Sequence, residues 1–186
     1  DLADALFAVT SAGLRGEEAL TTLQAAAKAS AAGLGDTKDI ALTLVGALQN
    51  YGAAGLTAAE ATDILVGTVQ AGNLEASELA GSLSRVIPIA SAAGVGFEQI
   101  GGAVALLTRA TIPTSEAVTG LRAAILAVNA PTTEAVAAFK EAGISTKDLN
   151  DALQSGGLIA ALELVEEAAG GNSTMFRKML GSVEAL

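Results

Sequence analysis

The 186-residue sequence contains no cysteine and no histidine. The first absence excludes disulfides and thiolate metal sites. The second removes imidazole ligands and every Ser-His-Asp or Cys-His nucleophile system. Tryptophan is also missing, and aromatic residues make up only 3% of the chain. Basic residues are sparse: 10 Lys and Arg stand against 20 Asp and Glu, for a net charge of −10 and a pI near 4.3. Binding to phosphate polymers needs a Lys/Arg surface, so nucleic acid is not expected as the main partner. The cations are scattered singly except at Arg177-Lys178, a pair suited to a helix C-terminus. Asp1-Leu2-Ala3-Asp4 lacks both an initiator Met and a basic signal-peptide start, which suggests a piece of a longer protein.

No uninterrupted apolar run reaches the roughly 18 residues a membrane span needs. The longest weakly polar stretch, Val86 to Leu107, is broken by Pro88, Glu98, Gln99 and glycines. A buried soluble segment is the better reading, with membrane contact expected only in a rearranged state.

What the chain has is small apolar residues. The AVILMFWYC class is 51%, and the 21 glycines raise the apolar share to roughly 62%, above the ~45–50% typical of soluble domains. Ala and Gly let helices approach closely, but each buries little. The apolar excess therefore points to an interface and to self-association as a homo-oligomer.

One junction recurs, as Gly55-Leu56-Thr57-Ala58-Ala59-Glu60, Gly94-Val95-Gly96-Phe97-Glu98-Gln99 and Gly143-Ile144-Ser145-Thr146-Lys147-Asp148. A longer version is Gly33-Leu34-Gly35-Asp36-Thr37-Lys38-Asp39. In each, Gly ends one helix in the left-handed conformation. The apolar residue after it packs back on that helix and staples the next. Asp36, Thr57 or Ser145 caps the new helix. Asp39, Glu60, Gln99 or Asp148 at the third helical position completes a box or favours the dipole.

Between junctions the apolar spacing is helical, as at Ile40, Leu44, Val45 and Leu48. No window alternates like a strand. The expectation is an all-α, multi-helix domain of short antiparallel helices over 2–12, 16–32, 37–51, 58–71, 75–93, 97–110, 115–129, 133–142, 146–154, 157–169 and 173–186. The domain spans 1–186, with any subdivision falling near 130. Pro88 is expected to kink or split the 75–93 helix. Phe7, Phe97, Phe139 and Phe176 read as core anchors. Leu79, Leu83, Val86 and Ile87 form one apolar face, and given the apolar excess they are the candidate intersubunit surface.

Catalytic chemistry finds little support. Glu166-Glu167 and Ser115-Glu116 are imaginable acid/base residues, but Glu116 suits a helix first turn and Glu163, Glu166 and Glu167 a solvated face. Gly33-Leu34-Gly35 and Gly94-Val95-Gly96 follow no strand and lack a Gly-Lys-Ser/Thr ending, so neither is a phosphate loop. Asp36, Asp39, Asp148 and Asp151 lack EF-hand spacing. No catalytic, cofactor-binding or metal residue is expected, and the chain is not expected to be an enzyme.

Several stretches, in order, resemble the core region of phage tail tape measure proteins. Ala12-Gly13, Ala19-Leu20, Ala26-Ala27 and Ala31-Ala32-Gly33 are similar to that family's opening "SAG … AL … AAKAAxAG" pattern. Leu48-Gln49-Asn50-Tyr51-Gly52 is similar to its "LxAYG" helix end. Thr62-Asp63-Ile64-Leu65 through Gly72 resembles "TDxLxxTVxxG", and Glu78-Leu79 through Pro88 to Val95 resembles "ELxxxLxxVxPxAxxxGV". Ala103 to Thr108 and Ser115-Glu116-Ala117 resemble "AxIAxLT … TxEAxTxL". Gly96 departs from the pattern, standing where a Ser cap is usual, and Asn129-Ala130-Pro131-Thr132 is a looser match. The resemblance implies a protein that sets tail length, fills the tail tube and leaves it on infection. It also implies contacts with the tube protein and the tail-tip or baseplate hub, often as a three-fold bundle. Two other classes stand beside it: a membrane-active helical domain forming a channel in the host envelope, and a generic helical adaptor.

Overall fold

The computed structural model describes residues 2–180. Among them are eleven α-helices and no strand. They are α1 (Leu2–Ser11), α2 (Gly16–Ala31), α3 (Thr37–Tyr51), α4 (Ala58–Ala71), α5 (Ala76–Leu83), α6 (Ile87–Ala92), α7 (Phe97–Arg109), α8 (Thr114–Asn129), α9 (Thr133–Glu141), α10 (Thr146–Ala169) and α11 (Ser173–Leu180). A 3₁₀ turn, Gly52–Ala54, follows α3. The expected helix end beyond Leu180 and the Arg177 side chain lie outside the described residues.

The junction chemistry explains these boundaries. Gly33, Gly55, Gly94 and Gly143 all have positive φ, between 75° and 100°. The next residue in each case bonds five residues back: Leu34 N–H to Ala29 O at 3.0 Å, Leu56 to Tyr51 at 3.3 Å, Val95 to Ala90 at 2.9 Å and Ile144 to Phe139 at 3.0 Å. These are Schellman closures, which satisfy carbonyls that a helix end leaves open.

Pro88 splits the expected 75–93 helix. It occupies the first turn of α6, where a missing N–H costs nothing. The chain tightens through Arg85 N–H to Ser82 O and Val86 N–H to Leu83 O. The expected break between 154 and 157 is present as a non-helical Gly157 inside α10 (φ 73°, ψ −168°).

Two helices act as hubs. α3 packs against α1, α2, α4, α5 and α6, and α8 against α5, α6, α7, α10 and α11. α4 lies against α7, and α9 against α11. One cluster of buried side chains runs from Ala5 to Leu180. Much of it is alanine, including Ala5, Ala26, Ala41, Ala47, Ala61 and Ala161. Small residues thus bring helix axes close, and Ile40, Leu44, Leu65, Ile100, Phe97 and Phe139 fill the gaps, each burial stabilising by about 1.5–3 kcal/mol.

Two expectations are corrected by this packing. Leu79, Leu83, Val86 and Ile87 are between 0% and 1% exposed in a single chain, so they are core rather than an intersubunit surface. Ala-lined helix contacts take up part of the apolar excess, while Leu20, Leu106 and Ile159 stay more than half exposed. Phe97 and Phe139 are core and Phe176 packs partly buried against it, but Phe7 is 74% exposed. α1 buries Ala5 and Val9 instead, and leaves Leu2, Leu6 and Phe7 exposed.

Candidate functional site

The cap residues singled out from the sequence are structural. Thr57 Oγ1 accepts from Glu60 N–H at 3.2 Å while Thr57 N–H donates to Glu60 Oε2 at 2.9 Å. Ser145 and Asp148 repeat the arrangement at 3.2 and 2.8 Å. Asp36 Oδ1 accepts from Lys38 N–H at 2.9 Å. These bonds hold the Glu60 and Asp148 carboxyls below their ordinary pKa, because the Thr57 and Ser145 groups donate to the charged form. Gly96 provides no side-chain cap for α7. Gln99 accordingly makes no capping box. Its amide lies instead against the backbone of Gly157, where a Cβ would collide with it.

The structure brings two junctions together. The turn before α4 and the turn before α7 line an open groove of about 590 Å³. Tyr51, Leu56, Ile64 and Phe97 supply its apolar wall, and Glu60, Asp63 and Glu98 its carboxylates. Glu60 and Glu98 sit in helix first turns, where acids favour the dipole. The Tyr51 hydroxyl donates to Val95 O at 2.8 Å. Burial, and secondarily the Glu98 charge, push its pKa up from 10.0. Gly33 and Asp36 lie apart from this groove, with Gly35 close against Ser77 at the start of α5. Gly143, Ser145 and Asp148 belong to the start of α10.

A second open cleft, of about 500 Å³, lies between the α5–α6 turn and α8. It is lined by Arg85, Pro88, Ile89, Val118, Thr119 and Arg122. No spacing in the sequence signals it, because Arg85 and Arg122 share a cleft only in the folded chain.

Neither cleft pairs a nucleophile with a base. Among the described residues no group of three or more Asp and Glu is placed to hold a metal ion. No helix there is long and apolar enough to cross a membrane. The surface carries one groove edged with acid, one cleft edged with arginine, and exposed carboxylates along α10 at Glu163, Glu166 and Glu167.

No curated protein and no solved structure matches the chain. A family model does, the one described as phage-related minor tail protein, over residues 1–181. With that match across nearly the whole length, the chain belongs to the phage-related minor tail protein family and is a component of a phage tail.

Proposed function

We propose that this minor tail protein is a tape measure protein. It sets tail length during assembly, occupies the tail tube or tail tip, and is released on infection. The match to a phage minor tail family over residues 1–181 carries this reading. The ordered motifs from Thr62 to Ala117 resemble those of the tape measure type and support this narrower reading. The all-helical architecture, with docking clefts in place of a reactive centre, agrees with a part that acts by packing and length. Its partners are other copies of itself, the tail tube protein and the tail-tip or baseplate hub. It is made in the host cytoplasm and ends in the virion tail.

The test is tail length in the phage that encodes the protein. In-frame duplication and in-frame deletion of helical segments in its gene are scored by electron microscopy. Tails that lengthen with duplication and shorten with deletion support the ruler. Tails that assemble at unchanged length overturn it and leave a tail component with another task.

A further inference from the structure

The Arg85–Arg122 cleft has the chemistry of a carboxylate receptor. Arg85 follows the C-terminal end of α5, where the helix dipole favours a cation. Arg122 lies in the middle of α8, so the dipole gives no reason for it. Both are exposed, and neither forms an ion pair among the described residues, where Lys147–Asp151 is the one such pair. The floor between them is apolar: Pro88, Ile89 and Val118. A guanidinium is a planar fork suited to a carboxylate, and two such forks beside an apolar floor suit an apolar side chain flanked by acids.

α10 presents that pattern. Ile159 is 57% exposed although large and apolar. Glu163 and Glu166 follow it on the same helical face, one and two turns on, and both are exposed. Neither has a cationic partner among the described residues. The chain as a whole has 20 acids against 10 bases, so where copies gather the most abundant counter-charge for a free arginine is another copy. A nucleic acid fits less well, because two arginines on a chain of net charge −10 make a poor phosphate surface.

We propose that the Arg85–Arg122 cleft of one copy receives the Ile159–Glu163–Glu166 face of α10 from a second copy. The two patches are different, so the contact is heterologous and can repeat from copy to copy. It needs several copies side by side, and to that extent rests on the tail role above. Its test reads mass and is separate from tail length.

The experiment is sedimentation velocity of the 186-residue chain over a dilution series, at low and high salt. Two charge reversals are compared, Arg85→Glu with Arg122→Glu, and Glu163→Arg with Glu166→Arg. All four positions are exposed, and circular dichroism checks that the helices persist. The wild type is expected to associate, more weakly at high salt. Each reversal is expected to weaken association at least about tenfold. An equimolar mixture of the two reversed proteins is expected to restore it, since each then offers the other a matched pair. A wild type that stays monomeric at all concentrations overturns the proposal. So does association that both reversals leave unchanged, or a mixture that fails to recover it.

Discussion

The phenolic hydroxyl of Tyr51 donates to the backbone carbonyl of Val95 across 2.8 Å, tying the end of α3 to the turn that starts α7. The ring also stands 5.9 Å from that of Phe97 at a tilt of 45°. Tyr51 is the only tyrosine in the chain, so its ionisation can be read directly by absorbance. Its pKa is raised above 10.0 in the fold, first by burial and then by the Glu98 charge. Raising the pKa of an acid favours its neutral form. Stability from this group is therefore present below pH 10.0 and declines as pH rises above it. The phenolate band should appear only well above pH 10 or on unfolding. Tyr51→Phe should cost about 1–2 kcal/mol at neutral pH, from the unpaired Val95 carbonyl, and flatten the alkaline decline. A phenolate band that titrates in the folded protein at pH 10 would contradict this placement.

Thr111 is the one non-glycine residue at positive φ, 67°, among the described residues. It closes α7 as the junction glycines close their helices, with Ile112 N–H bonding back to Leu107 O at 3.3 Å. A β-branched residue is strained there by about 1–2 kcal/mol. Thr111→Gly should relieve that strain, less the larger unfolded-state entropy of glycine. A net gain of about 0.5–1 kcal/mol, or about 2 °C in Tm, is expected by thermal denaturation. A loss of stability would mean that the Thr111 methyl or hydroxyl makes up for the strain.

The helices were legible wherever a local device marked their ends. A glycine followed by an apolar residue and a polar cap needs no tertiary information to be read, which is why the starts of α3, α4 and α10 agree with the sequence. Thr111 hides the same turn behind a residue that gives no such signal. Phe7 misleads in the opposite sense: size argues for burial, but α1 turns Ala5 and Val9 inward. The cleft at Arg85 and Arg122 was invisible because only the packing of the α5–α6 turn on α8 brings the two together.

Leu83 and Val86 show how composition can mislead about which residues lie at the surface. Both are at most 1% exposed, and the helices around them, α5 and α6, each pack against both hubs. Leu83→Asp or Val86→Asp should unfold the chain by burying a charge rather than disperse an assembly of folded copies. Leu83→Ala should cost about 2–5 kcal/mol. Helical circular dichroism retained in both Asp variants would return these residues to the surface.

Acid should loosen the capping boxes. Glu60 and Asp148 have pKa values below 4.5 and 3.8 respectively, held down by bonds from Thr57 and Ser145. A depressed carboxyl contributes stability above its unfolded pKa and loses it as pH falls through the folded value. Wild-type stability should therefore decline more steeply below about pH 4.5 than that of a Glu60→Gln, Asp148→Asn double variant, and the two curves should converge in strong acid. Parallel curves across that window would show that the boxes do not persist in solution.

The contact between α4 and α7 allows a direct packing test. Gly101 of α7 and Thr68 of α4 are both buried, and a Cβ at Gly101 would collide with Thr68 Oγ1 and stand 3.3 Å from Ile64 Cγ2. In an open helix, Gly→Ala gains about 1 kcal/mol of propensity. Overpacking costs about 1–3 kcal/mol, and Thr68 has little freedom to yield, since it is β-branched and its hydroxyl is bonded to Ile64 O at 2.8 Å. Gly101→Ala alone should therefore destabilise. In a Thr68→Ala background the colliding Oγ1 is gone and only the tight Ile64 contact remains, so the same change should become neutral or stabilising by up to about 1 kcal/mol. A double-mutant cycle by urea denaturation reads the coupling. Additive effects would mean that α4 and α7 stand farther apart than this contact requires.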